Sequence, residues 1–181
     1  MCIRDSAATK VTAEHVVRRR RPDAAILRPH AVWGPGDPTL LPRLLRARVA
    51  GVLVAPGNGR NRLSTTHVEN LTLAIGLAVE RRAAGTFNVA DGHDLPVDDL
   101  LRTLLRRLGL QPRIAYVPAA GPSGALRPRR TRRPALTRYA VLHLTREWTL
   151  DITRAREVLG YAPRWTAEDG PLDGSATVVS R

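Results

Sequence analysis

Apolar positions fall in short blocks along this chain, and their spacing switches between helical and extended periods. Val11, Ala13, Val16 and Val17 lie near one face of a helix expected over Thr9 to Arg20. Pro22 stops that helix, because proline has no backbone N–H to donate and its ring clashes with the preceding turn. Ala24-Ala-Ile-Leu27 is a continuous apolar run, the mark of a strand buried in a parallel sheet, and Arg28-Pro29 ends it. Trp33-Gly34-Pro35-Gly36-Asp37-Pro38 is dense turn chemistry. Thr39 is placed to cap a helix through Leu40, Leu41, Leu44 and Leu45, with Gly51 closing it and Val52-Leu-Val54 beginning an extended piece.

Pro56-Gly-Asn-Gly59 reads as a loop, and Leu63 to Val68 alternates loosely as a strand would. Leu71, Ala74, Ile75, Ala78 and Val79 recur at the i, i+3, i+4, i+7, i+8 spacing of an amphipathic helix over Asn70 to Arg82. Thr86 to Ala90 is a strand ended by Asp91-Gly92. Val97 to Leu108 is a helix with Gly109 at its end, and Arg113 to Val117 is a strand. Residues 119–134 form a Pro/Gly/Arg loop and Ala135 to Leu144 is helical. A last short helix begins at Asp151 or Thr153, runs through Leu159 and ends at Gly160. From Pro171 the chain is Gly/Ser/Asp-rich and expected to fray. Helices and strands alternate, which is the order of an α/β fold.

A chain of 181 residues suffices for one domain with a real core. No apolar run reaches the ~18 residues of a membrane span, and no secretory signal is visible; a cytoplasmic location is the expectation. With one cysteine, Cys2, neither an internal disulfide nor a cysteine-based metal site forms. The net charge of +13 raises nucleic acid as an alternative partner. Two clusters carry much of it, Arg18 to Arg21 and the arginines between Arg127 and Arg133. Neither has interleaved aromatics on which bases would stack, so solvated arginine without a nucleic-acid partner is the expected reading.

Lys10 is the only lysine in a chain that otherwise carries its positive charge on arginine. Under the codon bias that an Arg-, Ala-, Gly- and Pro-rich composition implies, a lone lysine points to chemistry. Ahead of it, Met1-Cys2-Ile3-Arg4-Asp5 back-translates to ATG-TGT-ATA-AGA-GAC, which looks like the end of a transposase adapter used in DNA library preparation. Residues 1–6 are therefore expected to be a sequencing scar, with the natural chain beginning upstream.

Ser6-Ala-Ala-Thr-Lys10 resembles the Tyr-x-x-x-Lys motif of the short-chain dehydrogenase/reductase superfamily, in its extended, epimerase-like branch, with Ser where that family has Tyr. Four further segments resemble the same family in the same order. They are Leu27-Arg28-Pro29 leading to Gly34-Pro35-Gly36-Asp37; Gly57-Asn58-Gly59 with Asn61, then His67-Val68-Glu69-Asn70; Phe87-Asn88-Val89 with Gly92; and Asp151 to Ala155 followed by Leu159-Gly160-Tyr161 and Pro163. In such a family the lysine one helical turn after the tyrosine shares its face and lowers its pKa. The phenol then exchanges a proton near neutral pH, while the ammonium also donates to a ribose hydroxyl.

The resemblance implies a fold and a site. The fold is α/β: the C-terminal part of a Rossmann-type, doubly wound parallel sheet plus a small substrate-binding α/β subdomain. Residues 7–37 and 64–92 would belong to the dinucleotide-binding part, 38–63 and 93–170 to the substrate subdomain, and 171–181 to a frayed tail. The cofactor is NAD or NADP. Lys10 is the catalytic and cofactor-binding lysine, and Pro29, His30, Ala31 and Val32 line the nicotinamide end, at the carboxyl end of a strand. The substrate is a small molecule carrying an alcohol or ketone, and the parent enzyme a homodimer. In the nucleotide-sugar branch an arginine four residues before the family's histidine binds the diphosphate. Here Leu63 holds that position and Arg62 lies one residue away, on the other face of a strand. That favours a steroid-like or other apolar alcohol over a nucleotide sugar. His67 and Glu69 are expected to organise the turn into a helix, without metal. No Gly-x-x-Gly-x-x-Gly turn occurs in the sequence, so neither tight dinucleotide binding nor turnover is expected of this chain alone.

Overall fold

The computed structural model describes residues 3–118 and 138–172. In chain order the elements begin with α1 (Ile3–Arg20), β1 (Ala25–Pro29), β2 (Val32–Trp33), α2 (Leu40–Arg46), β3 (Arg48–Val49) and β4 (Val52–Pro56). There follow β5 (Arg62–Leu63), β6 (Thr66–His67), α3 (Val68–Glu80), β7 (Gly85–Val89) and β8 (Leu95–Pro96). The last are α4 (Val97–Arg107), β9 (Ile114–Val117), α5 (Arg138–Thr145) and α6 (Thr153–Leu159).

The pairing is mainly parallel. β1 runs beside β7 with Leu27 opposite Phe87, β2 beside β6, and β4 beside β9 with Val54 opposite Ala115. β3 folds back antiparallel on β4, and β5 pairs antiparallel with β8. Two cores result. One gathers Ala74, Ala78, Phe87, Val89, Leu159 and Tyr161 around β7, α3 and α6. The other gathers Leu41, Leu53, Leu63, Leu100, Leu104 and Leu105 around β4 and α4.

α4 shows how sequence makes such a layer. Val97, Leu100, Leu101, Leu104 and Leu105 all fall on one side of the helix, and all are buried. Each contributes roughly 1.5–3 kcal/mol of transfer free energy. Asp98 and Asp99 sit in the first turn and Arg106 and Arg107 in the last, in the sense the helix dipole favours.

Several elements depart from the sequence pattern. α1 begins at Ile3, ahead of the expected Thr9, and ends at Arg20 as its spacing predicts. β1 continues through Arg28-Pro29, which the pattern had ending it. Proline is tolerated there because it is the last residue of the strand, and among the described residues β1 pairs only with β7. Thr39 occupies the N-cap of α2 but makes no side-chain cap bond. Asp37 does that work: its Oδ1 accepts from Thr39 N at 2.8 Å and Leu40 N at 2.9 Å, and its Oδ2 from Leu41 N at 2.7 Å. α2 ends at Arg46; Gly51, with Ala50, instead makes the tight β3–β4 turn, at φ 80° and 49°.

The stretch expected as one strand from Leu63 to Val68 is two short ones, β5 and β6, with different partners. α3 turns inward only part of the face its apolar spacing suggests, Leu71, Ala74 and Ala78, and rotates Asn70 in beside them. Asn70, Ala74 and Ala78 are buried, while Ile75 is 49% and Val79 73% exposed. α6 begins at Thr153, where Asp151 Oδ1 accepts from Thr153 N at 2.8 Å, and Gly160 closes it in the left-handed conformation, φ 64°. The Pro/Gly/Arg loop, the first residues of the helix expected from Ala135 and the tail beyond Leu172 lie outside the described residues.

Candidate active site

The chain leaves β1 at Pro29, which is paired with Val89, and turns sharply at Ala31, whose φ is 45°. Thr66 fixes this turn from the side. His30 N donates to Thr66 Oγ1 at 3.0 Å, Thr66 N donates to the Ala31 carbonyl at 3.5 Å, and Thr66 Oγ1 itself donates to the Val89 carbonyl at 2.8 Å. Val32 then enters β2 opposite Thr66. The stretch Pro29 to Val32 is thus held at the carboxyl end of the parallel pair, where an open α/β sheet forms its ligand crevice.

Around His30 the structure assembles a group of rings. His30 Nδ1 lies 2.9 Å from the Ser64 carbonyl and His30 Nε2 lies 3.0 Å from His143 Nδ1, on α5. Trp148 stacks on both imidazoles, at 4.9 Å from His143 and 5.8 Å from His30, each with planes 21° apart. Trp148 is set by two backbone bonds: its N donates to the Arg62 carbonyl at 3.0 Å and its carbonyl accepts from Ser64 N at 2.8 Å. Burial, then the adjoining His30, then the Lys10 ammonium push the His143 pKa down to about 4, so its imidazole is neutral at physiological pH. Lys10 lies on α1 with its side chain exposed, and its charge reaches this cluster.

A second polar centre is buried behind the first. Asp91, 2% exposed at the end of β7, accepts four bonds: from Trp33 Nε1 at 3.0 Å, Thr65 Oγ1 at 2.7 Å, His67 N at 2.6 Å and Asn70 Nδ2 at 2.7 Å. Asn70 also accepts at Oδ1 from Arg164 N and Trp165 N, pinning the chain that follows α6. His67 is fully buried and caps α3, its Nδ1 accepting from Glu69 N at 3.2 Å. Glu69 accepts from Trp165 Nε1 at 2.7 Å. Both residues organise the entry to α3, as their place in the sequence suggests. Gly34 has φ 125°, and a Cβ there would stand 2.8 Å from His67 Nε2.

Leu63 is 5% exposed and part of the core around α4. Arg62 turns outward, and its guanidinium donates to the Asp94 carbonyl. The position at which a diphosphate-binding arginine would stand therefore carries a buried aliphatic side chain. Of the two arginine clusters, the first closes α1. Arg18 donates to Thr86 Oγ1 at 2.8 Å and Arg21 pairs with Asp23 at 2.9 Å. The second lies outside the described residues. Among the described residues, no three His, Cys, Asp or Glu side chains stand together as a metal site, and no helix is long and apolar enough to cross a membrane.

Sequence reasoning singled out the run Pro29 to Val32, which leaves β1 at Pro29, turns at His30-Ala31 and enters β2 at Val32. It did not find His143, Trp148 or the hub role of Asp91. Asp91 carried a turn signal in Asp91-Gly92; His143 lies 113 residues from His30 and carried none.

The fold and this site define an α/β protein built on parallel strands of the Rossmann type, and comparison with known proteins says what it is similar to. No family model matches. The chain is 34% identical to a 2-alkyl-3-oxoalkanoate reductase of Stenotrophomonas maltophilia (strain K279a), a match covering 91% of this chain and 55% of that protein. It is also 34% identical to a 4-hydroxy-2-methyl-3-oxo-4-farnesyl-3,4-dihydroquinoline-1-oxide ketoreductase of Stigmatella aurantiaca, covering 90% of this chain and 52% of that one. Among solved structures, MoeE5 in complex with UDP-glucuronic acid and NAD superimposes with a TM-score of 0.64 at 26% identity, over 90% of this chain and 51% of that chain. These likenesses, to reductases in sequence and to an NAD complex in structure, point the same way as the short-chain dehydrogenase/reductase resemblance of the motifs. The chain spans about half the length of the curated relatives it matches.

Proposed function

We propose that this chain is part of an NAD(P)-dependent reductase that acts on the ketone or alcohol of a largely apolar small molecule. The observation that carries the substrate class is Leu63. A buried aliphatic side chain replaces the arginine with which the nucleotide-sugar branch holds a diphosphate, and Arg62 is turned away to Asp94. The reductases among its relatives agree with that direction. In this reading Pro29, His30, Ala31 and Val32 line the nicotinamide end of the cofactor and Lys10 holds a ribose hydroxyl. The turn at Ala31, open at the carboxyl end of β1, suits such a ligand. When bound, the cofactor supplies the hydride. Lys10 acts by lowering the pKa of a tyrosine one helical turn before it, at the place Ser6 now holds, so that the phenol delivers the proton to the carbonyl oxygen.

Residues 7–37 and 64–92 are assigned to the cofactor side and 38–63 and 93–170 to the substrate side. Trp33 and α6 cross that division, Trp33 by packing with the α4 core and α6 with the β7 core. The exposed Val11, Val16 and Val17 of α1 suit an interface between two copies of the parent enzyme. By itself the chain is inactive, because it carries neither the glycine-rich turn nor the tyrosine.

The nucleotide-sugar reading has the structural likeness to MoeE5 in its favour. One assay separates the two. The full-length natural protein containing this segment is given NADPH or NADH with a long-chain 3-oxoalkanoate, and separately NAD with UDP-glucuronic acid. Oxidation of the reduced nicotinamide by the ketone is expected. Conversion of the nucleotide sugar without ketone reduction overturns the proposal. A fluorescence titration of the chain alone with NADH is expected to show no tight binding.

A further inference from the structure

We propose that His30 and His143 are positioning residues: a hydrogen-bonded imidazole pair, stacked against Trp148, that bolts α5 to the turn leaving β1. The proposal rests on the reading above only in taking that turn to border the site; the bolt itself is geometry.

Its hydrogens are assigned by its partners. The Ser64 carbonyl can only accept, so His30 Nδ1 carries the proton that meets it at 2.9 Å. With Nδ1 as its one N–H, the His30 ring offers a lone pair at Nε2, and His143 Nδ1, 3.0 Å away, donates to it. Both rings are therefore Nδ1–H tautomers, aligned in one direction from α5 toward the Ser64 carbonyl. Trp148 closes the group from the side and is itself fixed to Arg62 and Ser64 by backbone bonds. α5 packs on β4, so the pair ties the β3–β4–β9 sheet to the β1–β7 pair.

The bolt holds near neutral pH without a charge on His143: burial, then the adjoining His30, then Lys10 on α1 hold its pKa down to about 4.

The test is long-range proton–nitrogen NMR of the histidine rings in this chain, with Trp148 emission as the second readout and Trp148→Phe to assign it. Both rings are expected as Nδ1–H tautomers at neutral pH. His143→Asn places an amide N–H near the Nδ1 position, and it should keep the His30 tautomer and the Trp148 emission. His143→Phe keeps the stacked ring without a donor, so His30 should lose its fixed tautomer and Trp148 should shift toward the emission of water-exposed indole. In the full-length enzyme His143→Phe should raise KM about fivefold, the size of one hydrogen bond, with kcat much less affected, and His143→Asn should restore KM. An Nε2–H tautomer for His30, or a Phe variant indistinguishable from wild type, overturns the bolt. Absence of ketone reduction with the tautomers and variant ranking intact overturns the proposed function and leaves the bolt standing.

Discussion

Four donors converge on one carboxylate at the end of β7, and that convergence sets the cost of changing it. Removing Asp91 leaves Trp33 Nε1, Thr65 Oγ1, His67 N and Asn70 Nδ2 without their acceptor in a place where water does not reach. Each unsatisfied buried group costs about 1–3 kcal/mol, and relaxation of the neighbours recovers part of the sum. Asp91→Ala is therefore expected to cost about 3–5 kcal/mol in urea unfolding, enough to unfold much of a marginally stable domain. Asp91→Asn keeps the shape and one acceptor oxygen but turns an NH2 group toward donors, and about 1–3 kcal/mol is expected. Equal stability of the Ala variant and wild type would show that the four contacts are not formed together in solution. Gly34→Ala is a second residue-scale test. Its Cβ would meet His67 Nε2 at 2.8 Å and Val68 Cγ1 at 2.9 Å, at a φ of 125° that L residues rarely adopt. A loss of about 1–3 kcal/mol is expected from strain and overpacking together.

At the scale of elements, the correction at α2 yields its own prediction. Asp37 accepts from three backbone N–H groups at the start of that helix, and Thr39 from none. Asp37→Ala should cost about 1 kcal/mol, as loss of a helix cap does, and Thr39→Ala much less; the reverse ranking in chemical denaturation would return the cap to Thr39. The sequence pattern placed a capping signal at the right turn and chose the wrong oxygen, because both residues are good caps and only geometry separates them. α4 was legible because its apolar face is also its buried face. α3 was read with its face rotated: Leu71, Ala74 and Ala78 do turn inward, but Asn70 is drawn in by Asp91 while Ile75 and Val79 stay exposed. Pairings of distant residues, His30 with His143 above all, leave no trace in local spacing. That pairing has a pH signature. His143 is held near pKa 4 in the fold against about 6.5 unfolded, so the unfolded chain binds more protons between those values. Stability is fully present above pH 6.5 and falls as the pH drops toward 4; a thermal melt series in which His143→Asn shows a smaller fall over that window is the expected result.

On the scale of the whole molecule, the β1–β7 pair has no further strand beside it among the described residues. β1 is paired on one side, with β7, and beside it Ala25, Leu27, Ala78 and Ala83 line a shallow apolar depression whose rim is Ile75 and Val79. α1 adds Val11, Val16 and Val17, all more than a third exposed. A strand edge next to exposed aliphatic side chains is a template for association. The net charge of +13 opposes contact between copies at low salt, and salt screens it over about 10 Å at 0.1 M. The two effects predict an unusual direction. The chain should be closest to monomeric in dilute buffer and should associate as salt is raised, whereas association through ion pairs would weaken. The double variant Ile75→Lys, Val79→Lys adds charge at the rim of the depression, on exposed positions whose change alters stability by at most about 0.5 kcal/mol each. Light scattering after size exclusion, at low and at moderate salt, should show the wild-type mass rising with salt and the double variant remaining near 19.8 kDa. A variant that associates as the wild type does would put the contact elsewhere, with the exposed valines of α1 as the next surface to charge.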